Sequence, residues 1–149
     1  MSTDKTIATT FVQPYRIFGG RCEEALDFYR SAVGAKVGIV MRFKDAPDPP
    51  PPGMLAPGFE AKIMHAEFQV GEATILASDG GSEGATFAGF SLALSLPTEA
   101  DVDRVFAALV DGGQTTMPPG KTFWSPRFGM LTDRFGVAWM VMVPGEEPS

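Results

Sequence analysis

One order of elements, read twice along the 149 residues, constrains the fold of this chain more than any single motif. The first reading begins with a strand from Gln13 to Phe18, stopped by Gly19-Gly20. A helix follows from about Arg21 to Val33, because Ala25, Leu26, Tyr29, Ala32 and Val33 recur at helical spacing and Gly34 stands where a left-handed cap is expected. Ala35 to Phe43 reads as a strand. Ala61 to Val70 and Ala73 to Asp79 read as a hairpin turned by Gly71-Glu72. The order then restarts with a strand from Phe90 to Leu96, in which Leu92, Leu94 and Leu96 alternate with Ser91, Ala93 and Ser95. Thr98 is placed to cap the next helix, with Asp101 three residues later. Val102, Val105, Phe106, Leu109 and Val110 give that helix an apolar stripe, closed by Gly112-Gly113. Three shorter strands are expected around Gln114 to Pro118, Phe128 to Asp133 and Val137 to Val143.

The pattern predicts an α+β fold of two βαβββ modules, about residues 11–80 and 88–144, within one domain spanning 1–149. A helix covers one face of each sheet, and the opposite faces form a half-barrel around a central cavity. The small residues Ser91, Ala93 and Ser95 suit a cavity-facing side. The two halves share little identity, so the repeat is one of structure. Between the modules' strands, Asp48-Pro49-Pro50-Pro51-Pro52-Gly53 cannot be helix or central strand, since proline lacks the donor and fixes φ. It reads as a stiff surface loop within 47–57, with a polyproline recognition segment as the alternative.

Composition excludes several classes. Apolar residues make up 44% and charged residues 20%, the balance of a chain with a real core. A formal charge of −6 argues against an electrostatic grip on nucleic acid or an anionic membrane. Cys22 is the only cysteine, so neither an internal disulfide nor a multi-cysteine zinc site can form. The polar start Met1-Ser2-Thr3-Asp4-Lys5 and the lack of any long apolar run predict a cytoplasmic protein without leader or membrane span.

The stretch Gly20-Arg21-Cys22-Glu23-Glu24-Ala25-Leu26-Asp27-Phe28-Tyr29 resembles the first helix of the vicinal oxygen chelate superfamily, which includes glyoxalase I, bleomycin-resistance proteins and extradiol dioxygenases. Lys121-Thr122-Phe123-Trp124-Ser125-Pro126-Arg127-Phe128-Gly129 and Thr132-Asp133-Arg134-Phe135-Gly136-Val137-Ala138-Trp139 are similar to its PhnB-like branch, as are Met64-His65-Ala66 and Ala77-Ser78-Asp79-Gly80. The resemblance runs from about Pro14 to Val143. It implies paired βαβββ modules and a homodimer, but no settled activity. Members of the branch are sometimes labelled demethylubiquinone methyltransferases. A Rossmann-type methyltransferase needs a glycine-rich turn after a first strand and a parallel sheet. Here Gly80-Gly81-Ser82-Glu83-Gly84 lies between two strands and opens no helix.

The metal-dependent relatives implied by the resemblance hold their ion with His or Glu on strands one, four, five and eight. The matching positions in this sequence fall at Pro14 or Tyr15, Leu76, Ser91 and Met140, none of them His, Asp or Glu. No metal and no other cofactor is therefore expected. His65, the sole histidine, shares a strand face with Ile63, Glu67 and Gln69. A His65–Glu67 pair two apart suits acid/base work, the carboxylate orienting the imidazole, or is simply a polar strand face. Phe123, Trp124, Arg127 and Phe128 gather aromatic and cationic groups in one loop segment, fit either to clamp a ligand or to anchor the loop. Tyr15 offers a phenol donor or a core ring. Asp79 before two glycines reads as a turn residue. Cys22 near a helix start reads as a buried thiol or, less well supported, a nucleophile.

These readings leave the function classes open. One is a metal-independent small-molecule-binding protein, with Tyr15, Trp124, Arg127, Ser91 and Met140 as ligand contacts. A second is an enzyme on a small organic or phosphonate-like substrate, with His65 and Glu67 catalytic and Arg127 holding the anion; a metal-dependent lyase or dioxygenase is further off. A third is a mainly structural homodimer. The first is preferred, because the cofactor positions of the enzymatic relatives are occupied by other residue types.

Overall fold

A computed structural model describes residues 13–47, 55–80 and 89–145. The first module consists of β1 (Tyr15–Ile17), α1 (Cys22–Val33), β2 (Lys36–Arg42), β3 (Ile63–Val70) and β4 (Ala73–Ser78). The second repeats it with β5 (Leu92–Ser95), α2 (Glu99–Val110), β6 (Gln114–Gly120), β7 (Phe128–Thr132) and β8 (Ala138–Met142). Two four-stranded sheets result, ordered β1-β4-β3-β2 and β5-β8-β7-β6. In each sheet the first strand pairs in parallel with the last, and the other pairs are antiparallel. The α+β fold of paired βαβββ modules is the one expected.

Both helices form for the reasons legible in the sequence. Gly34 caps α1 at φ 67°, the left-handed conformation that a side chain would resist. Thr98 Oγ1 accepts the Asp101 N–H at 3.1 Å at the start of α2. Ala25, Leu26 and Tyr29 of α1 and Val102, Val105, Phe106 and Leu109 of α2 are buried. The alternation in β5 is also as expected, with Ala93 and Ser95 exposed while Leu92 and Leu94 are half-buried against the core. Gly129 of β7 has no room for a side chain: a Cβ would lie 2.8 Å from Phe106 Cε2, so α2 packs directly on the β7 backbone.

The core is shared between the modules. Tyr29 stacks on Phe68 of β3 at 5.5 Å and meets Trp139 of β8 at 5.8 Å and Phe135 at 6.0 Å, measured between ring centres. An apolar crevice is lined by Phe68 and Ile75 from one sheet and Leu92 and Trp139 from the other. The helix-bearing faces of both sheets thus turn on the same interior, and the sheets are not closed into a barrel. Each module keeps an open face of its own, which is why Tyr15, Ile17, Ile39 and Met117 are 40% or more exposed.

Three local expectations need correction. β1 is shorter than the span from Gln13 to Phe18, although Pro14 still accepts the Leu76 N–H at 2.9 Å. β6 runs on through Pro118-Pro119 to Gly120, which an edge strand tolerates because its register slips twice against β7. Ile63 does not share the face of His65. The register of β2 on β3 slips between Met41 and Arg42, and Ile63 is buried beside Leu26 and Val40 on the helix side. The proline run at 49–52 and the glycine-rich stretch 81–84 lie outside the described residues.

Candidate functional site

The open face of the first sheet is assembled by strand alternation and register. On β3, Ala66 and Phe68 are buried under α1, so His65, Glu67 and Gln69 take the opposite side. Glu67 pairs with Leu76 of β4, which in turn pairs with Tyr15 of β1. Met41 of β2 stands opposite His65. The Tyr15 and His65 rings are 6.3 Å apart between centres. His65 Nε2 lies 3.7 Å from Glu67 Oε1, with the two side chains 34% and 40% exposed. Three of the residues singled out in the sequence therefore meet in one solvent-accessible cluster: a phenol, an imidazole and a carboxyl group beside the apolar Leu76, Ile17 and Met41. At 3.7 Å the imidazole and carboxyl group are in ion-pair range and beyond hydrogen-bonding distance.

The other four sit on the second module. Met140 of β8 pairs with Ala93 and Met130. Ser91, half-buried, stands one residue before β5. The loop from Lys121 to Arg127 is held by its own hydrogen bonds: Thr122 Oγ1 accepts the Ser125 N–H at 3.0 Å, and Ser125 Oγ donates to the Val143 carbonyl at 2.6 Å. This turn displays Phe123, 96% exposed, and Trp124, which meets Phe123 and Phe128 edge to face at 4.7 and 5.5 Å. Arg127 Nε is bonded to Asp103 Oδ1 at 2.8 Å, so an anion would have to compete with that carboxylate.

The donor set does not fit the metal of the enzymatic relatives. Tyr15 and Leu76 are register partners on the first sheet, and Ser91 and Met140 belong to the second module, so those positions offer a phenol, a hydroxyl and apolar side chains. Among the described residues, no group of three or more His, Cys, Asp or Glu is placed to hold an ion.

Two acidic residues have roles that sequence reasoning missed. Asp79 is a buried cap, where a turn residue was expected: its carboxyl group accepts N–H bonds from Gly20 at 2.9 Å, Cys22 at 2.7 Å and Ile63 at 2.8 Å. It thereby fills the helix start after Gly19-Gly20, the place where a phosphate-bearing cofactor would need free amides. Asp133 accepts from Tyr29 Oη at 2.6 Å and Trp139 Nε1 at 2.9 Å, and from the Phe135 and Val137 backbone at 2.8 and 3.1 Å. Burial, followed by the Asp133 charge and its hydrogen bond, pushes the Tyr29 phenol far above its ordinary range.

Cys22 is fully buried, and burial, then the Asp79 charge, pushes its thiol up to about 12. That removes the nucleophile reading, since attack needs a thiolate. The folded protein is expected to resist a disulfide-exchange reagent at neutral pH and to react only on unfolding. Because the thiol is raised in the folded state, its contribution to stability is whole below its ordinary value of 9.0 and is lost as pH rises from there towards 12. Denaturant midpoints should fall over that window in the parent and fall less in Cys22→Ala.

Comparison with known proteins places this architecture. The family described as 3-demethylubiquinone-9 3-methyltransferase matches residues 10–142. The chain belongs to this family. Protein YjdN of Escherichia coli K12 is 32% identical over 146 residues, covering 93% of this chain and 98% of that protein. The crystal structure of PA1353 from Pseudomonas aeruginosa superposes with a TM-score of 0.79 at 38% identity, covering 93% of this chain and all of that one. A PhnB protein from Bacillus cereus follows at 0.74 and 28%, covering 90% and 99%. A glyoxalase/bleomycin resistance/dioxygenase domain from Frankia, 14% identical with a TM-score of 0.63, shares the fold, covering 91% of this chain and 96% of that domain. The chain is thus a PhnB-like member of this family, with the fold of glyoxalase/bleomycin-resistance domains. Despite the methyltransferase in the family's description, each sheet holds a single parallel pair, which is not the doubly wound parallel sheet of a nucleotide-cofactor methyltransferase.

Proposed function

We propose that this protein binds a small organic molecule on the open face of its first sheet, without a metal ion, in the manner of a carrier or sequestering protein. The observation that supports this most is the joining of Tyr15, His65 and Glu67, half-exposed, beside Leu76 and Ile17 on an open face whose family metal positions carry no suitable donors. Aromatic and aliphatic groups supply contact area, and the three polar groups orient the ligand. Met140, Ser91, Trp124 and Arg127, on the second module, would contribute from a partner molecule. A homodimer in the cytoplasm is part of the same reading: a partner molecule laid across the open sheets would enclose a cavity that one chain leaves open, and the exposed Phe123 and Trp124 suit such a contact. Among the described residues no helix is long and apolar enough to cross a membrane.

A second reading has one observation in its favour, the 3.7 Å approach of His65 to Glu67, which would let the pair act as acid and base on an organic or phosphonate-like substrate. The single histidine separates the two readings, because its ring signals in an NMR spectrum report on this site alone. A panel of small aromatic and polar organic molecules is expected to shift those signals. In His65→Ala, with its fold intact, backbone signals around Tyr15 and Leu76 should still respond, with affinity reduced about tenfold or less. Ligand turnover by the parent, abolished in His65→Ala, would favour the enzyme. A panel that leaves the His65 ring and the Tyr15 and Leu76 backbone unmoved would count against this face as a site.

A further inference from the structure

Next to the Tyr15–His65–Glu67 cluster the same open face carries a second feature with different chemistry. A hollow of about 220 Å³ is lined by Lys36, Val37, Gly38, Glu67, Gln69 and Thr74. Its origin is local. β2 slips its register against β3 between Val37 and Val40, and at that slip stands a glycine. A Cβ on Gly38 would have a single neighbour within 4 Å, the Glu67 carbonyl oxygen at 3.8 Å, so the space above the backbone is open for want of a side chain. Lys36 pairs with Gln69, and Gln69 with Thr74, whose hydroxyl lies 3.5 Å from Gln69 Nε2. The walls therefore offer an ammonium, an amide, a hydroxyl and a carboxyl group. Glu67 belongs both to this hollow and to the His65 cluster.

We infer that the hollow over Gly38 is the head-group subsite of the proposed ligand site, and that it takes a zwitterionic head, an ammonium beside a carboxylate, on a molecule whose flat apolar body lies along Leu76 towards Tyr15. This rests on the reading of the face as a ligand site and adds the class of molecule. Opposite charges on Glu67 and Lys36 match the two charges of such a head, and Gln69 and Thr74 supply neutral partners. Strand spacing sets the length. The backbones of Glu67 and Tyr15 lie two strands apart, about 10 Å, which leaves room between them for the flat body of an aromatic amino acid. Tyr15 and Ile17, 46% and 44% exposed, provide the apolar floor at that end.

The test uses the full-length protein, the His65 ring signals, and three probes: L-tryptophan, tryptamine without the carboxylate, and indole-3-propionate without the ammonium. Tryptophan is expected to shift the signals, and each truncated probe to bind about tenfold more weakly. Gly38→Leu fills the hollow at a position that is not left-handed and has open space, so it should fold normally and lose the tryptophan response. Lys36→Gln keeps the hollow open and should weaken tryptophan while leaving tryptamine unchanged. Indole-3-propionate binding as tightly as tryptophan, or Gly38→Leu retaining full affinity, would overturn the head-group assignment while leaving the face as a ligand site. No response to tryptophan, with other organic molecules still shifting the His65 signals, would overturn it too. Silence from every organic molecule would remove the underlying site as well.

Discussion

Replacing Asp133 with alanine is expected to destabilise the protein by about 3–5 kcal/mol, enough to lower its melting temperature by about 10 °C. The carboxyl group is buried and accepts four hydrogen bonds, two from the backbone of its own turn and one each from Tyr29 of α1 and Trp139 of β8. Its removal strands four donors where water cannot readily reach them, and each unsatisfied buried donor costs about 1–3 kcal/mol before the site relaxes. The location adds to the effect. Tyr29 belongs to the first module and Asp133 to the second, so the bond at 2.6 Å ties the modules together where their cores merge. Asp133→Asn keeps the shape but turns one acceptor into a donor, and about half the loss is expected. Urea unfolding followed by tryptophan fluorescence measures both variants, Trp139 reporting from inside the network. A loss below about 1 kcal/mol for the alanine variant would show that the turn repairs itself.

Asp79→Ala should be nearly as costly, at about 2–4 kcal/mol. Three backbone donors depend on this side chain, two at the entry to α1 and one at the first residue of β3. Arg21, in the cap position of α1, makes no side-chain cap bond, so the helix start has Asp79 in that role from 57 residues away. The bond to Ile63 also anchors the end of β3 that leads into His65. Loss of stability should therefore come with broadening of the His65 ring signals, a local consequence that Asp133→Ala should not share. Asp79→Asn should recover part of the stability, since its amide oxygen still accepts.

The fold was legible because its signals are local. The stripe through Val102, Val105, Phe106 and Leu109, the Gly34 and Thr98 caps and the alternation in β5 each lie within a few residues, and each element stands where those signals put it. His65 and Glu67 were legible as a pair for the same reason, being two apart on one strand. What could not be read depends on distant residues. Asp79 and Asp133 both look like turn formers in a short window, and only the folded chain brings Gly20, Cys22, Tyr29 and Trp139 to them. Of the two register slips between β2 and β3, the one between Met41 and Arg42 puts Ile63 on the other face and the one between Val37 and Val40 opens the hollow at Gly38, and no local pattern announces a slip that depends on the partner strand. The ion pair of Arg127 with Asp103 of α2 is illegible for the same reason, its partner standing 24 residues away.

The central claim is that the open face around Tyr15, His65 and Glu67 binds its ligand without a metal. The most direct test is elemental analysis of the natively purified protein, followed by the same His65 NMR titration before and after treatment with a strong chelator. The account predicts no stoichiometric transition metal and an unchanged ligand affinity after chelation. One equivalent of zinc, nickel, iron or manganese per chain, with ligand binding lost on its removal and restored on its return, would contradict it.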